Sequence, residues 1–287
     1  MVFSHLKDII SYLSRYKENL PDRVGNDWLD MTLRTQNDIY MNNFSNVINK
    51  LILNYDPKIL IKTNMNNSSN QNYSKKLIEQ INNSFRLANN KESKINKDIL
   101  DIEGMSGIKS RHFFNNLCSN YDVRYLEIGS FHGSTFSSAL YKNKITAISI
   151  DNWSEFGDQK PKEHFLNNLQ KYIGNNDVKY IEEDCWKVDI KTLPKFNIYF
   201  YDGHHSEEAQ FKALDYYKDS LDEQFILIID DWNWEQVRRG TYYGLEKNNM
   251  KIVYEYQLYT DTSNNHGFYA FKNSYWHNGL VVFVIHK

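Results

Sequence analysis

Two places in the chain gather side chains that hold cations and move protons. One is Asp202-Gly203-His204-His205, which follows an apolar run ending at Tyr201; the other is Asp230-Asp231, which follows a run ending at Ile229. If the two places meet, three carboxylates without a counter-ion would repel one another and raise each other's pKa. A divalent cation with oxygen ligands and retained water is then the physical expectation. Hard donors favour Mg²⁺, with Mn²⁺ or Ca²⁺ as further options. An imidazole at His204 or His205, near its ordinary pKa of ~6.5, could take a proton from a hydroxyl held on such a cation. Plainer uses exist for the same residues: a histidine pair can cap a helix, and paired acids can make a turn and an N-cap.

A second centre of chemistry is the turn Gly129-Ser130-Phe131-His132-Gly133, which follows the apolar run Tyr125 to Ile128 and precedes a helical stretch opening on Ser134 and Thr135. Strand, glycine turn and helix start together make a site for a ligand with a negative end, carboxylate or phosphate, because the first helical N–H groups lack intrahelical partners. The spacing Gly-x-x-x-Gly is not the dinucleotide fingerprint, and no lysine follows the second glycine as a P-loop requires. Glu127, two residues before Gly129, would repel a pyrophosphate and suit a ligand bearing an ammonium group.

These residues need a frame. From Val123 onward, apolar or β-branched runs (125–128, 145–150, 178–181, 198–201, 225–229, 252–259 and 280–285) alternate with helical stretches (134–141, 162–173, 206–220 and 234–247). That alternation predicts an α/β fold with a mainly parallel sheet and helices on both faces. In such sheets ligands lie beyond the carboxyl ends of the strands. Those ends are acidic here: besides the two already named, Asp151-Asn152-Trp153 closes one run and Glu182-Glu183-Asp184-Cys185 another.

Glu127-x-Gly129-x-x-x-Gly133-Ser134-Thr135 resembles the first motif of class I S-adenosylmethionine-dependent methyltransferases, whose ligand has both an ammonium and a carboxylate. The order of elements over about residues 105–287 resembles their Rossmann-like sheet, seven-stranded and mostly parallel, with the last strand antiparallel between the fifth and sixth. Asp-Gly-(Asp or His)-His after the fourth strand, with paired acids after the fifth, resembles the metal-dependent O-methyltransferases that act on sugars of macrolide and aminocoumarin antibiotics. The resemblance implies S-adenosylmethionine as cofactor, Mg²⁺ on Asp202, Asp230 and Asp231, and a base at His205 or, next to it, His204. It puts Glu127, Gly129, Ser130, Gly133, Ser134, Thr135 and Asp202 around the cofactor. Asp151 is placed to accept from the ribose hydroxyls and Asp184 from the adenine amino group. Asn152 and Trp153 would flank the adenine, although an indole there serves equally as a packing residue. Cys185 reads as a filler beside the base, since nothing nearby would lower its pKa.

Ahead of the motif, Glu103-Gly104-Met105-Ser106-Gly107 precedes an amphipathic helix to Leu117. Met105 and Ser106 either line the cofactor pocket or form an ordinary tight turn, and Lys109 and Arg111 either meet an acidic substrate group or face water. After the fifth strand, Trp232, Trp234, Tyr242 and Tyr243 suit recognition of a sugar or planar ring, and suit core packing as well. Arg238 and Arg239 are candidates for an anionic substrate group. The insert between the last two strands, with His266, Phe268, Tyr269, Tyr275, Trp276 and His277, is too aromatic for a free loop and is expected on the active-site side or against another subunit.

Residues 1–100 read as an N-terminal helical cap or assembly region, with helical patterns at 3–16, 39–52 and 74–87 and an Asn-rich linker near 63–73; residues 101–287 read as the methyltransferase domain. The helices offer a route to a homo-oligomer. A net charge of −2 calls for neither nucleic acid nor an anionic membrane. Two cysteines make no disulfide framework, the amino terminus lacks a signal-peptide pattern, and a cytoplasmic protein with a small-molecule acceptor is the expectation. Two rivals use the same fold: a metal-independent N- or C-methyltransferase, and a cofactor-binding protein without turnover.

Overall fold

The computed structural model of the chain describes residues 57–64, 71–155, 160–261 and 275–287. The helical patterns at 3–16 and 39–52, most of the Asn-rich linker, and His266, Phe268 and Tyr269 lie outside these residues.

Five parallel strands carry the frame: β2 (Arg124–Ile128), β3 (Thr146–Asp151), β4 (Asp177–Glu182), β5 (Phe196–Tyr201) and β6 (Leu221–Asp230). Two long strands follow, β7 (Lys251–Tyr259) and β8 (Leu280–His286). Strand β8 runs antiparallel between β6 and β7, as the resemblance implies. The sheet has eight strands rather than seven, because Lys58–Thr63 forms a further edge strand, β1, antiparallel to β7. With β1 included, the order is β1-β7-β8-β6-β5-β2-β3-β4, a doubly wound sheet whose strand order reverses beside β2. The crevice beyond the carboxyl ends of β2 and β5 is therefore the place a ligand would occupy.

Alternation along the strands divides the core in two. One face presents Tyr125, Ile198, Phe200, Ile226 and Ile228 to helices α1 (Gln71–Asn89), α3 (Ile108–Leu117), α4 (Ser134–Leu140) and α5 (Lys160–Tyr172), while the short α2 (Lys97–Leu100) lies ahead of α3. The other presents Leu126, Ile128, Tyr199, Tyr201, Leu227 and Ile229 to α6 (Glu207–Tyr217) and α7 (Glu235–Lys247). Helix α6 starts where Ser206 accepts the N–H of Ala209 at 3.2 Å, and Glu207 and Glu208 sit favourably in its first turn.

Helix α1 is part of the core. Its Phe85 is 2% exposed, stacks on Tyr256 of β7 with ring centroids 3.8 Å apart, and lies 4.3 Å from the Phe113 ring. Phe85→Ala should therefore lower the unfolding free energy by about 3–5 kcal/mol in urea denaturation. A loss below ~1 kcal/mol would mean that α1 is not docked on the sheet.

Candidate active site

The glycine turn is dictated by space. Gly129 has φ +85°, and a Cβ there would stand 2.0 Å from the carbonyl oxygen of Asp202; Gly133, at φ +78°, would press on the Phe165 ring at 2.9 Å. The end of β2 thus meets the end of β5 without any side chain between them. Asp151 fastens the turn from β3: its Oδ2 accepts the N–H groups of Ser130 (2.8 Å) and Phe131 (2.9 Å), and its Oδ1 that of Trp153 (2.7 Å). The residue expected to bind ribose braces the loop, with Oδ2 fully used and one lone pair of Oδ1 left over. Trp153 is buried, donates its indole N–H to the Phe131 carbonyl at 2.8 Å and packs on Phe165 at 5.1 Å. Packing is one of its two expected uses. Asn152 closes a local turn by accepting the N–H of Ser154 at 3.1 Å, and Asp184 accepts that of Trp186 at 3.0 Å. Burial, with Asp184 beside it, pushes the Cys185 thiol up to about 12, which fits a filler and not a nucleophile.

Glu127 points into the protein. Tyr125 donates to one carboxylate oxygen at 2.5 Å and Thr135 to the other at 2.8 Å. Burial nevertheless pushes its pKa up to about 8, with Asp202 and Asp151 adding to the rise. In this state the group is held mainly protonated at neutral pH. Ser130 and Ser149 hydroxyls bond at 2.6 Å, and those of Ser106 and Ser134 at 2.8 Å. Arg111 corrects a second expectation. It is fully buried, with its Nη1 donating to the carbonyls of Ile99 (3.0 Å), Leu100 (3.0 Å) and Ile102 (2.8 Å) and its Nε to Ser106 Oγ at 3.0 Å. It pins the segment that carries half-buried Met105 beside the start of α4, and burial lowers it to about 10.

The acids after β5 and β6 do converge, and they do so around histidines. His205 Nε2 lies 2.9 Å from Asp231 Oδ2 and 3.6 Å from Asp202 Oδ1, with the Trp234 ring 5.1 Å away, edge-on. Burial alone would lower His205, but the two carboxylates outweigh it and raise it to about 10. The expected imidazole of ordinary pKa is instead an imidazolium. Burial also lifts Asp202 to about 6, against the pull of His205, and lifts Asp230 well above the usual range, reinforced by Asp202 and Asp231. Burial would raise Asp231 too; there His205, with His277 and Asn278 alongside, wins and holds it below the usual range. His204 supports the cap made by Ser206, its Nδ1 lying 3.1 Å from the Ser206 hydroxyl and accepting the Ser206 N–H at 3.3 Å.

The sequence placed His277 only in an insert expected on the active-site side or against another subunit, and gave it no role. His277, just ahead of β8, joins Asp230 and Asp231 in a group whose ligand atoms all lie within 4.8 Å of one another, a spacing that suits a divalent ion. Asp202 stands outside that group, across His205. The aromatic residues nearby serve the core: Trp232 is fully buried against Phe283, Tyr242 donates to the buried Glu255, and Tyr243 packs on Phe211 at the surface. Arg238 holds the loop after β6 through the carbonyls of Trp232 (2.8 Å) and Asn233 (2.5 Å), and Arg239 pairs with Glu207 and Glu235. No helix of the described residues is long and apolar enough to cross a membrane.

No protein-family model matches the chain, and no curated protein matches it by sequence. Among solved structures it is similar to SMU.776, a putative methyltransferase complexed with SAH, at 15% identity and a TM-score of 0.44 over 63% of this chain and 49% of that one. It is also similar to cofactor-bound Rv0187 from MTB (12% identity, TM-score 0.43, 77% and 98% covered). A third is the O-methyltransferase TomG from Streptomyces achromogenes, in complex with SAM (11%, 0.38, 62% and 78%). The chain spans about half the length of the first of these. At such identities and scores the activity of the chain rests on its own residues.

The state of Glu127 has a measurable consequence. Its pKa is about 4.5 in the unfolded chain and about 8 in the fold, so folding binds a proton between these values. The stability this group contributes is complete below pH 4.5 and is lost as pH rises to 8. Glu127→Gln has no such loss. Its unfolding free energy relative to the natural protein should climb across that window, with a limiting slope of about 1.4 kcal/mol per pH unit. Urea unfolding at several pH values checks this, and a difference independent of pH would show Glu127 ionised throughout.

Proposed function

We propose that residues 101–287 form a class I S-adenosylmethionine-dependent methyltransferase domain. It would move a methyl group to a hydroxyl oxygen of a small molecule, with a sugar as the acceptor class the resemblance implies and a divalent cation at the acid cluster. Of the described residues before 101, helix α1 packs on one face of the sheet and β1 extends its edge. One observation carries the proposal: the glycine turn and the acid–histidine cluster open on the same edge of the sheet, at the ends of adjacent strands β2, β5 and β6.

In this reading the turn from Gly129 to Thr135 and the ends of β3 and β4 would hold the cofactor, which supplies the methyl group. The donor set after β6, two carboxylates and an imidazole with the buried Asp231 Oδ1 lacking a hydrogen-bond partner, fits a divalent cation. Such an ion would make the acceptor hydroxyl more acidic and take up carboxylate charge. That second effect matters for His205, because carboxylates left to themselves keep it protonated. With that charge taken up, His205 Nε2 would be free to receive the hydroxyl proton, and Asp202 and Asp231 are placed to hold the imidazolium so formed. The oxygen lone pair forms the new C–O bond, the methyl–sulfur bond breaks, and its electron pair stays on sulfur as a neutral thioether. Alignment of oxygen, methyl carbon and sulfur does the rest of the work.

A second reading has its own support. The imidazolium between Asp202 and Asp231 balances part of the cluster's charge unaided, which suits a metal-independent transfer to nitrogen or carbon.

Titration calorimetry with S-adenosylhomocysteine, with and without Mg²⁺, tests the cofactor half; micromolar binding is expected, and none in either condition would sink the proposal. With labelled cofactor and a panel of glycosides, catechols and small acids, transfer to a hydroxyl should stop in chelator, and chelator-resistant transfer would favour the second reading. Asp231→Asn should cost at least about 100-fold in turnover while leaving S-adenosylhomocysteine affinity within about threefold. Equal losses of both would remove Asp231 from the acceptor side.

A further inference from the structure

We infer that His277 is a nitrogen ligand of the cation site, so that this site takes Mn²⁺, Fe²⁺ or Co²⁺ in preference to Mg²⁺. The inference rests on the reading that a divalent cation serves the acid cluster.

The geometry separates the two histidines. His205 Nε2, 2.9 Å from Asp231 Oδ2, is in direct contact with that oxygen and leaves no room for an ion between them. His277 Nε2 is 3.9 Å from the other oxygen, Asp231 Oδ1, too far for a hydrogen bond. Two donors that each lie ~2.1 Å from one ion are separated by about 3–4 Å, so this pair has the spacing of neighbours in a coordination shell. Asp231 Oδ1 is itself buried without a hydrogen-bond partner, a costly condition for a carboxylate oxygen unless a cation meets it.

The backbone has been shaped to bring these atoms together. Asp231 (φ 54°) and His277 (φ 51°) both occupy the left-handed region, which is unfavourable for a non-glycine residue and recurs at functional sites. Asn233, fully buried, ties the two loops: its Oδ1 accepts the N–H groups of Thr260 (3.0 Å) and Asp261 (3.2 Å), and its Nδ2 donates to Thr260 Oγ1 at 2.9 Å. Thr260 Oγ1 in turn donates to the His277 carbonyl at 2.8 Å. On the other side, Trp276 is buried between Phe85 and Phe113. His277 therefore cannot drift from Asp231 without breaking this clamp. An imidazole among carboxylates selects first-row transition ions, since Mg²⁺ takes oxygen donors almost alone.

The test is spectroscopic and needs no turnover. Mn²⁺ is titrated into the full chain, and pulsed electron paramagnetic resonance of the bound ion is read for coupling to a directly bound ¹⁴N. Coupling is expected, should change to the ¹⁵N pattern in protein grown with ¹⁵N-histidine, and should vanish in His277→Gln while persisting in His205→Gln. His277→Gln should also weaken Mn²⁺ by at least about tenfold and Mg²⁺ by less than about threefold. Bound Mn²⁺ without nitrogen coupling, or coupling lost only in His205→Gln, would overturn the assignment yet leave a cation site standing. Failure to bind Mn²⁺ at all would overturn both, and S-adenosylhomocysteine titration of the same sample would show whether the cofactor reading survives.

Discussion

The structure depends on how carboxyl groups are tolerated at one poorly hydrated edge of a sheet. Glu127, Asp202, Asp230 and Asp231 end three adjacent strands, and burial works against the charge of every one of them. Each meets the problem differently. Glu127 accepts two hydroxyls and keeps a proton; Asp231 and Asp202 share the His205 cation; Asp230 rises in pKa. A surface whose charge states are set by neighbours a few ångströms away is one that a charged ligand can rearrange. Binding and proton movement are coupled here by construction.

Much of this was legible in the chain. Strand ends show in a sequence as the point where β-branched residues give way to Asp, Gly or Asn, so Asp151, Asp184, Asp202 and Asp230 could be set at one edge before any coordinates. The antiparallel insertion of the last strand was legible through the resemblance. Other features left no local trace. Strand β1 is six residues long with all six side chains exposed, so it has no alternation to read. Arg111 looked like a surface charge because its partners are backbone carbonyls, which every sequence has.

The site shows the same division. Residue types announced the chemistry, while the orientation of each side chain came from loops whose geometry is set by contacts distant in sequence. Asp151 was legible as an acid at the right place, but its use by three backbone N–H groups depends on how the glycine turn curls. His277 lies 46 positions beyond Asp231, and only the crossing of β8 beside β6 brings them together. The one signal available was the aromatic character of its loop, which marks packing without naming the ligand.

The place of β8 has a consequence for synthesis. Strands that neighbour one another in the middle of the sheet, β6 and β8, are separated by α7 and β7 in the chain, so the sheet stays split until residues 280–286 have left the ribosome. The same late step delivers His277, whose loop leads straight into β8. A chain interrupted between β7 and His277 would keep its glycine turn but lack a closed sheet and one wall of the acid cluster. Closure of the sheet and completion of the acid cluster thus depend on the same stretch of chain.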